Sequence, residues 1–280
     1  LGMASKAVMV TAPIAVLLHD AIFWHDAPTR RKVTQFAALA ATWSILVFTG
    51  LAAAVLDPSQ PNTGVGFSVT GVTATSYFLT QAEVIVHYLR LAIWPTGLCL
   101  DYDWPFVTTV REVLPELALV VVAFFIAAVG AIRRHWWGYA GVWFFLILAP
   151  TSSIIPVKDA IFEHRMYLPL AAVITFMVLL VDRLAALLSA RQRLAPRAVL
   201  ALAVITALSF ATFQRNRVYS SELTMWQDVA GKRPANARAR TAIGNALLVL
   251  GRVDEALRII AFANLRPVLH AARELFRSQA

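Results

Sequence analysis

The chain has one cysteine, Cys99, and only 15% charged residues among 280. A lone thiol closes no intrachain disulfide, so this fold is not a disulfide scaffold. CxxC pairs and Cys/His zinc spacings are absent, which removes zinc fingers and ribbons. GxGxxG and GxxxxGK[ST] are also absent, so neither a dinucleotide fingerprint nor a P-loop is signalled. What fills the space is apolar: 59% of residues are hydrophobic and the mean hydropathy is +0.66. Soluble domains carry about 45–50% apolar and about 25% charged residues. Both departures point to a membrane protein. The net charge of +9 then suggests cytoplasmic loops and anionic lipid. No nucleic-acid partner is expected, because the basic tail lacks interleaved stacking aromatics.

A spanning helix needs about 20 mostly apolar residues. Six runs meet or approach that: Ala7 to Trp24, Val33 to Leu56, Val113 to Ile132, Trp136 to Ile155, Met166 to Leu187 and Ala198 to Phe213. Arg30, Arg31, Lys32, Arg133, Arg134, Arg183, Arg191, Arg193 and Arg197 crowd the short connections on one side, which is therefore expected to be cytoplasmic. The Pro150–Pro169 loop, the Asp57–Arg111 segment and the C-terminal tail then lie outside. Ser76 to Trp94 carries Gln81, Glu83, His87 and Arg90 among apolar residues. One charge at mid-membrane costs about 2.5–3.5 kcal/mol, so this segment reads as an interfacial or re-entrant amphipathic helix. Its polar residues read as the wet face. Trp94, Trp104, Trp136 and Trp137 read as an aromatic belt, and His19 and Asp20 as interfacial groups.

After Arg217 the pattern turns soluble. Ser220 to Gly231 is a predicted helix, Pro234 breaks it, and Ala237 onward fits one tetratricopeptide repeat, with Gly251 in its turn. Val268 to Arg277 begins a further predicted helix. The expected fold is all-α: a polytopic membrane bundle of about six spans plus an amphipathic outer helix (residues 1–217), followed by a repeat tail (218–280). The chain opens Leu-Gly-Met without a basic, cleavable leader, and the expectation is that it continues a longer protein upstream.

Chemistry concentrates in the polar island from Pro150 to Pro169. Lys158, Asp159, Glu163, His164 and Arg165 lie between two apolar runs. Arginine binds phosphate bidentately and lysine as a point charge, so two cations beside a bundle suit a lipid phosphate or diphosphate. The plain alternative is a solvated loop in which Glu163 and Arg165 pair. Asp101 and Asp103 flank Tyr102 in a second outer loop. They offer a divalent-metal or acid/base site, and ordinary turn chemistry explains them equally well.

Four stretches occur in the same order in one known family. They are Leu-Gly-Met-Ala-Ser-Lys-Ala-Val-Met-Val-Thr-Ala-Pro at the start, Tyr-Leu-Arg-Leu-Ala-Ile-Trp-Pro-Thr-Gly-Leu-Cys-Leu-Asp-Tyr-Asp from Tyr88, Ser-Ser-Ile-Ile-Pro-Val-Lys-Asp-Ala-Ile-Phe-Glu-His-Arg-Met-Tyr-Leu-Pro from Ser152, and Trp226 leading into the repeat. The chain resembles bacterial relatives of the transmembrane-and-tetratricopeptide-repeat protein O-mannosyltransferases, glycosyltransferases of the GT-C class. Ala7 stands where that family usually has Glu. The resemblance implies transfer of a sugar, such as mannose, from a polyprenyl-phosphate donor to a hydroxyl of an acceptor protein outside the cytoplasm. It implies a multi-pass protein of the bacterial inner membrane with its repeats in the periplasm. It also implies phosphate binding by Lys158 and Arg165, and orientation or proton transfer by Glu163 and His164. The family's catalytic acid lies in a first outer loop upstream of the matching stretch, so this chain is expected to lack it. Other readings are a non-catalytic membrane-anchored repeat scaffold, and a lipid-linked polymer ligase or transporter. A transporter would be expected to carry ionisable groups at mid-membrane, and these runs carry almost none.

Overall fold

The structure is a computed structural model that describes residues 7–23, 29–45, 64–67, 69–186 and 190–259. These residues are all-helical. No strand is formed among them, and Val65 and Val157 make an isolated antiparallel bridge. The helices are α1 Ala12–Phe23, α2 Thr29–Ala41, α3 Ala74–Ile93, α4 Leu114–Ile132, α5 Trp136–Leu148, α6 Pro169–Ala185, α7 Ala190–Val218, α8 Glu222–Lys232 and α9 Ala237–Val249. The chain divides into two compact units, one of Leu1–Thr96 with Trp104–Leu184, the other of Gly97–Asp103 with Ala185–Ala280.

In the first unit α3 is the most thoroughly packed helix. Thr73 caps it by accepting from the Ser76 amide at 3.1 Å. Trp94 closes the last turn on Arg90 O at 2.8 Å, and Pro95 follows. Tyr77, Leu79, Thr80, Gln81, Ala82, Val84, Ile85, Tyr88 and Leu91 are all buried. A helix lying on a membrane surface would bury one face only. This one is packed on two sides: Gln81, Glu83 and His87, read from sequence as wet, face protein, and of those polar residues Arg90 is the exposed one.

Helices α4 and α5 form a tight hairpin. Arg134 adopts φ +58 in the turn, and Gly130, Gly138 and Gly141 let the two backbones meet. A Cβ on Gly138 would fall onto the backbone of Gly130 and Ala131. The run from Trp136 to Ile155 does not become one long helix. Helix α5 stops at Leu148, where the amides of Thr151 and Ser152 close on Leu148 O at 3.0 and 2.8 Å. Pro150 cannot donate and ends the ladder there.

Among the described residues two helices are long and apolar enough to cross a membrane: Val110–Ile132, with mean hydropathy 2.5, and Arg197–Val218, with mean hydropathy 1.6. The apolar helices Val8–Phe23 and Trp136–Leu148 are shorter. The second half of the predicted Val33–Leu56 run falls outside the described residues.

In the second unit α8 packs on α9 around Ile243, Leu247 and Ala256, with Leu223, Trp226, Ala230 and Ile259 against them. Gly251, at φ +74, makes the turn after α9, and residues 253–259 are helical again. The predicted helix from Val268 lies outside the described residues.

Candidate functional site

The site is built on two parallel stripes of α3. Positions 77, 81, 84 and 88 repeat at the spacing that keeps side chains on one helix face. Tyr77 Oη donates to Thr151 O at 2.5 Å, Gln81 Nε2 to Ala160 O at 3.2 Å and Tyr88 Oη to Phe162 O at 2.8 Å. The Phe162 amide in turn donates to Tyr88 Oη at 3.0 Å. This stripe thus carries the polar island found in the sequence.

The adjacent stripe, 76, 80, 83 and 87, carries a different segment. Ser76 Oγ donates to Val107 O at 2.5 Å, and the Val107 amide donates to Thr80 Oγ1 at 2.9 Å. Trp104 Nε1 donates to Glu83 Oε2 at 3.0 Å, and the His87 ring meets the Trp104 ring edge-on at 5.0 Å. Trp104 is therefore a hydrogen-bonded partner of α3, whereas Trp94 is exposed.

Arg165 sits at the centre of the island. Its Nη1 donates to Ala160 O at 2.9 Å, Thr151 O at 3.1 Å and Tyr77 Oη at 3.3 Å, and its Nη2 donates to Asp159 O at 2.9 Å. The guanidinium also lies over the Phe162 ring, 5.2 Å from its centroid. Backbone carbonyls thus hold this cation, and no carboxylate contact is needed to satisfy those donors. Burial raises the Tyr77 phenol above its ordinary value, which the charge of Arg165 only partly offsets. Burial likewise pushes Tyr88 up to about 12. Both phenols stay neutral at neutral pH and keep the proton they donate.

The other island residues face outward. Lys158 is pinned through its backbone, its amide donating to Gly64 O at 2.9 Å, while the Gly66 amide bonds Pro156 O at 2.8 Å. Its side chain is exposed. Glu163 opens a 3-10 turn, Glu163–Met166, and is partly exposed. His164 is exposed and stacks on Phe162, with centroids 5.2 Å apart and planes 26° apart.

An apolar cavity of about 310 Å³ lies in the same unit, lined by side chains of α3, α4, α5 and α6, among them Leu89, Ile126, Trp137, Phe144 and Phe176. Near α5, His19 Nδ1 lies 3.2 Å from the buried Asp20, and its ring packs against Tyr139.

Asp101 and Asp103 belong to the second unit. Asp101 is buried, its Oδ2 lies 3.0 Å from Arg238 Nη1, and its Oδ1 accepts the Asp103 amide at 3.1 Å. Asp103 takes φ +44, a conformation that Asp tolerates better than most residues. Cys99 donates its thiol to Asp101 O at 3.2 Å, Lys232 Nζ bonds Leu98 O at 2.6 Å, and Arg233 lies over the Tyr102 ring at 5.4 Å. Among the described residues no three His, Cys, Asp or Glu side chains come together as a metal site.

Tyr77 and Tyr88 are not singled out by the sequence reading, and Gln81, read there as wet, is buried against the island. The signal that finds them is their spacing, polar groups one and three turns apart on a helix too apolar to be wet. Comparison of the chain with protein-family models, curated proteins and solved structures found no match.

Proposed function

We propose that this chain belongs to a GT-C glycosyltransferase that uses a polyprenyl-phosphate-linked sugar and acts on hydroxyls of an acceptor protein. The observation that carries the reading is the Thr151–Met166 island. It joins the end of one apolar helix, α5, to the start of another, α6, and presents Lys158 and His164 outward from a frame fixed by Arg165 and α3. A cation at the mouth of an apolar bundle matches a phosphate whose tail is hydrocarbon. The apolar cavity between α3 and α6 and the exposed apolar flanks of α4 and α7 support a lipid setting.

In this reading Lys158 meets the phosphate directly, and Arg165 supplies charge while its donors hold the loop. Glu163 and His164 orient the sugar or move the proton released by the acceptor hydroxyl. Asp101 and Asp103, which belong to the second unit, are assigned to the acceptor protein. The protein is multi-pass in a bacterial inner membrane. The α8–α9 pair and the helix after Gly251 form a tetratricopeptide-type tail in the periplasm that presents the acceptor.

The test uses the full-length protein in membranes with a polyprenyl-phosphate-linked sugar. Arg165→Ala abolishes transfer. Lys158→Ala raises the KM for donor by about tenfold, the scale of one lost charge-assisted contact. Normal turnover by Arg165→Ala sinks the donor-site reading.

A further inference from the structure

We propose that Tyr88 is a positioning residue, which acts through Phe162 to hold the Glu163–His164–Arg165 turn in a single arrangement. For its catalytic consequence this rests on the donor-site reading. For its structural part it does not.

Tyr88 is 1% exposed, and one oxygen of it serves both backbone groups of Phe162. The Phe162 carbonyl accepts from Tyr88 Oη at 2.8 Å and from the Arg165 amide at 3.1 Å, which fills both lone pairs. Phe162 is the extended residue that leads into the 3-10 turn, at φ −143 and ψ 126, and its side chain offers no cap. Its orientation therefore decides how the turn begins. The Phe162 ring then carries two functional groups, with the His164 imidazole stacked on it and the Arg165 guanidinium over it. Tyr88 is thus one step removed from an imidazole that is itself exposed.

A hydroxyl that only satisfied a buried carbonyl would donate once. This one donates and accepts at the same residue, so it fixes Phe162 in rotation as well as in position. Phenylalanine at 88 keeps the ring packing and removes both bonds, leaving the amide of half-buried Phe162 without its acceptor and the carbonyl with one partner fewer. Lys158 lies outside this arrangement, its backbone being held by Gly64 instead, and the Arg165 guanidinium keeps its own bonds to Thr151, Asp159 and Ala160. Donor affinity and turnover should therefore separate.

Tyr88→Phe in the full-length protein is expected to lower kcat per donor-binding-competent molecule by about tenfold or more, as expected for a misplaced catalytic group. The KM for polyprenyl-phosphate-linked sugar should change less than about threefold. Backbone amide exchange at position 162 should rise by about tenfold, while amides of α9 stay unchanged. Phe162→Leu keeps both backbone bonds and removes the platform. It should reproduce the fall in kcat without the rise in exchange at 162. Unchanged exchange at 162 in Tyr88→Phe overturns the proposal, as does wild-type kcat in both variants. The exchange arm needs no substrate. If Lys158→Ala leaves donor KM untouched, the donor reading fails while the exchange arm still decides whether Tyr88 holds the turn.

Discussion

Arg238 reaches from α9 to Asp101, Nη1 to Oδ2 at 3.0 Å, and so ties the Gly97–Asp103 loop to the tail helices. Cys99 lies two residues away, 2% exposed, and it is the chain's sole cysteine. Burial also raises its thiol pKa, which slows reaction with electrophiles. Arg238→Ala should loosen the loop and speed maleimide labelling of Cys99 by about tenfold, since labelling reports local opening. An unchanged rate would show that Lys232 on Leu98 O suffices to hold it.

The α4–α5 hairpin should be intolerant of one methyl group. Gly138→Ala places a Cβ on the backbone of Gly130 and Ala131, where no side chain can yield. The expected cost is about 1–3 kcal/mol or more. Gly231→Ala, in α8, meets nothing within 4 Å and should stabilise by about 0.5–1 kcal/mol. Thermal unfolding in detergent should move the two variants in opposite directions.

Asp228 makes the second unit sensitive to acid. Burial alone would raise its pKa, but hydrogen bonds from Lys232 at 2.8 Å and Arg215 at 2.6 Å outweigh that and hold it below the ordinary carboxylate value. A depressed folded pKa contributes stability above the unfolded value, near 3.9, and loses it as pH falls through the folded value. The stability gap between wild type and Asp228→Asn should therefore be flat at neutral pH and shrink below about pH 4. A gap constant down to pH 2 would refute the assignment.

Gln81→Leu should be nearly silent. Its Nε2 bonds Ala160 O, but that carbonyl keeps Arg165 Nη1 at 2.9 Å, and Gln81 Oε1 has no protein partner. Removing a half-satisfied buried amide costs little, so the change should lie within about 1 kcal/mol. A loss of several kcal/mol by denaturant titration would mean that the Oε1 atom is bridged by tightly held water.

Apolar runs made α1, α4, α6 and α7 legible, because a long run without charge leaves few alternatives to a helix. Helix α3 was legible as a helix but not as a frame. Polar residues at helical spacing look the same whether they face water or a neighbouring loop, and only the loop's position separates the two. Arg165 drew attention as a charge, yet what it touches is four oxygens, three of them main-chain carbonyls, which no side-chain pattern announces. Asp101 was read through its neighbour Asp103, whereas its ionic partner, Arg238, lies far along the chain. Trp104 looked like a membrane anchor because the sequence does not show that Glu83 accepts its indole N–H.

The two stripes of α3 share one helical axis and one spacing. Turning α3 by a single residue, about 100°, would pull Thr80 from Val107 and Tyr88 from Phe162 in the same motion. The helix therefore works as a camshaft: the segment from Trp104 to Val107 and the island around Arg165 are set in phase, and neither can be re-timed without the other.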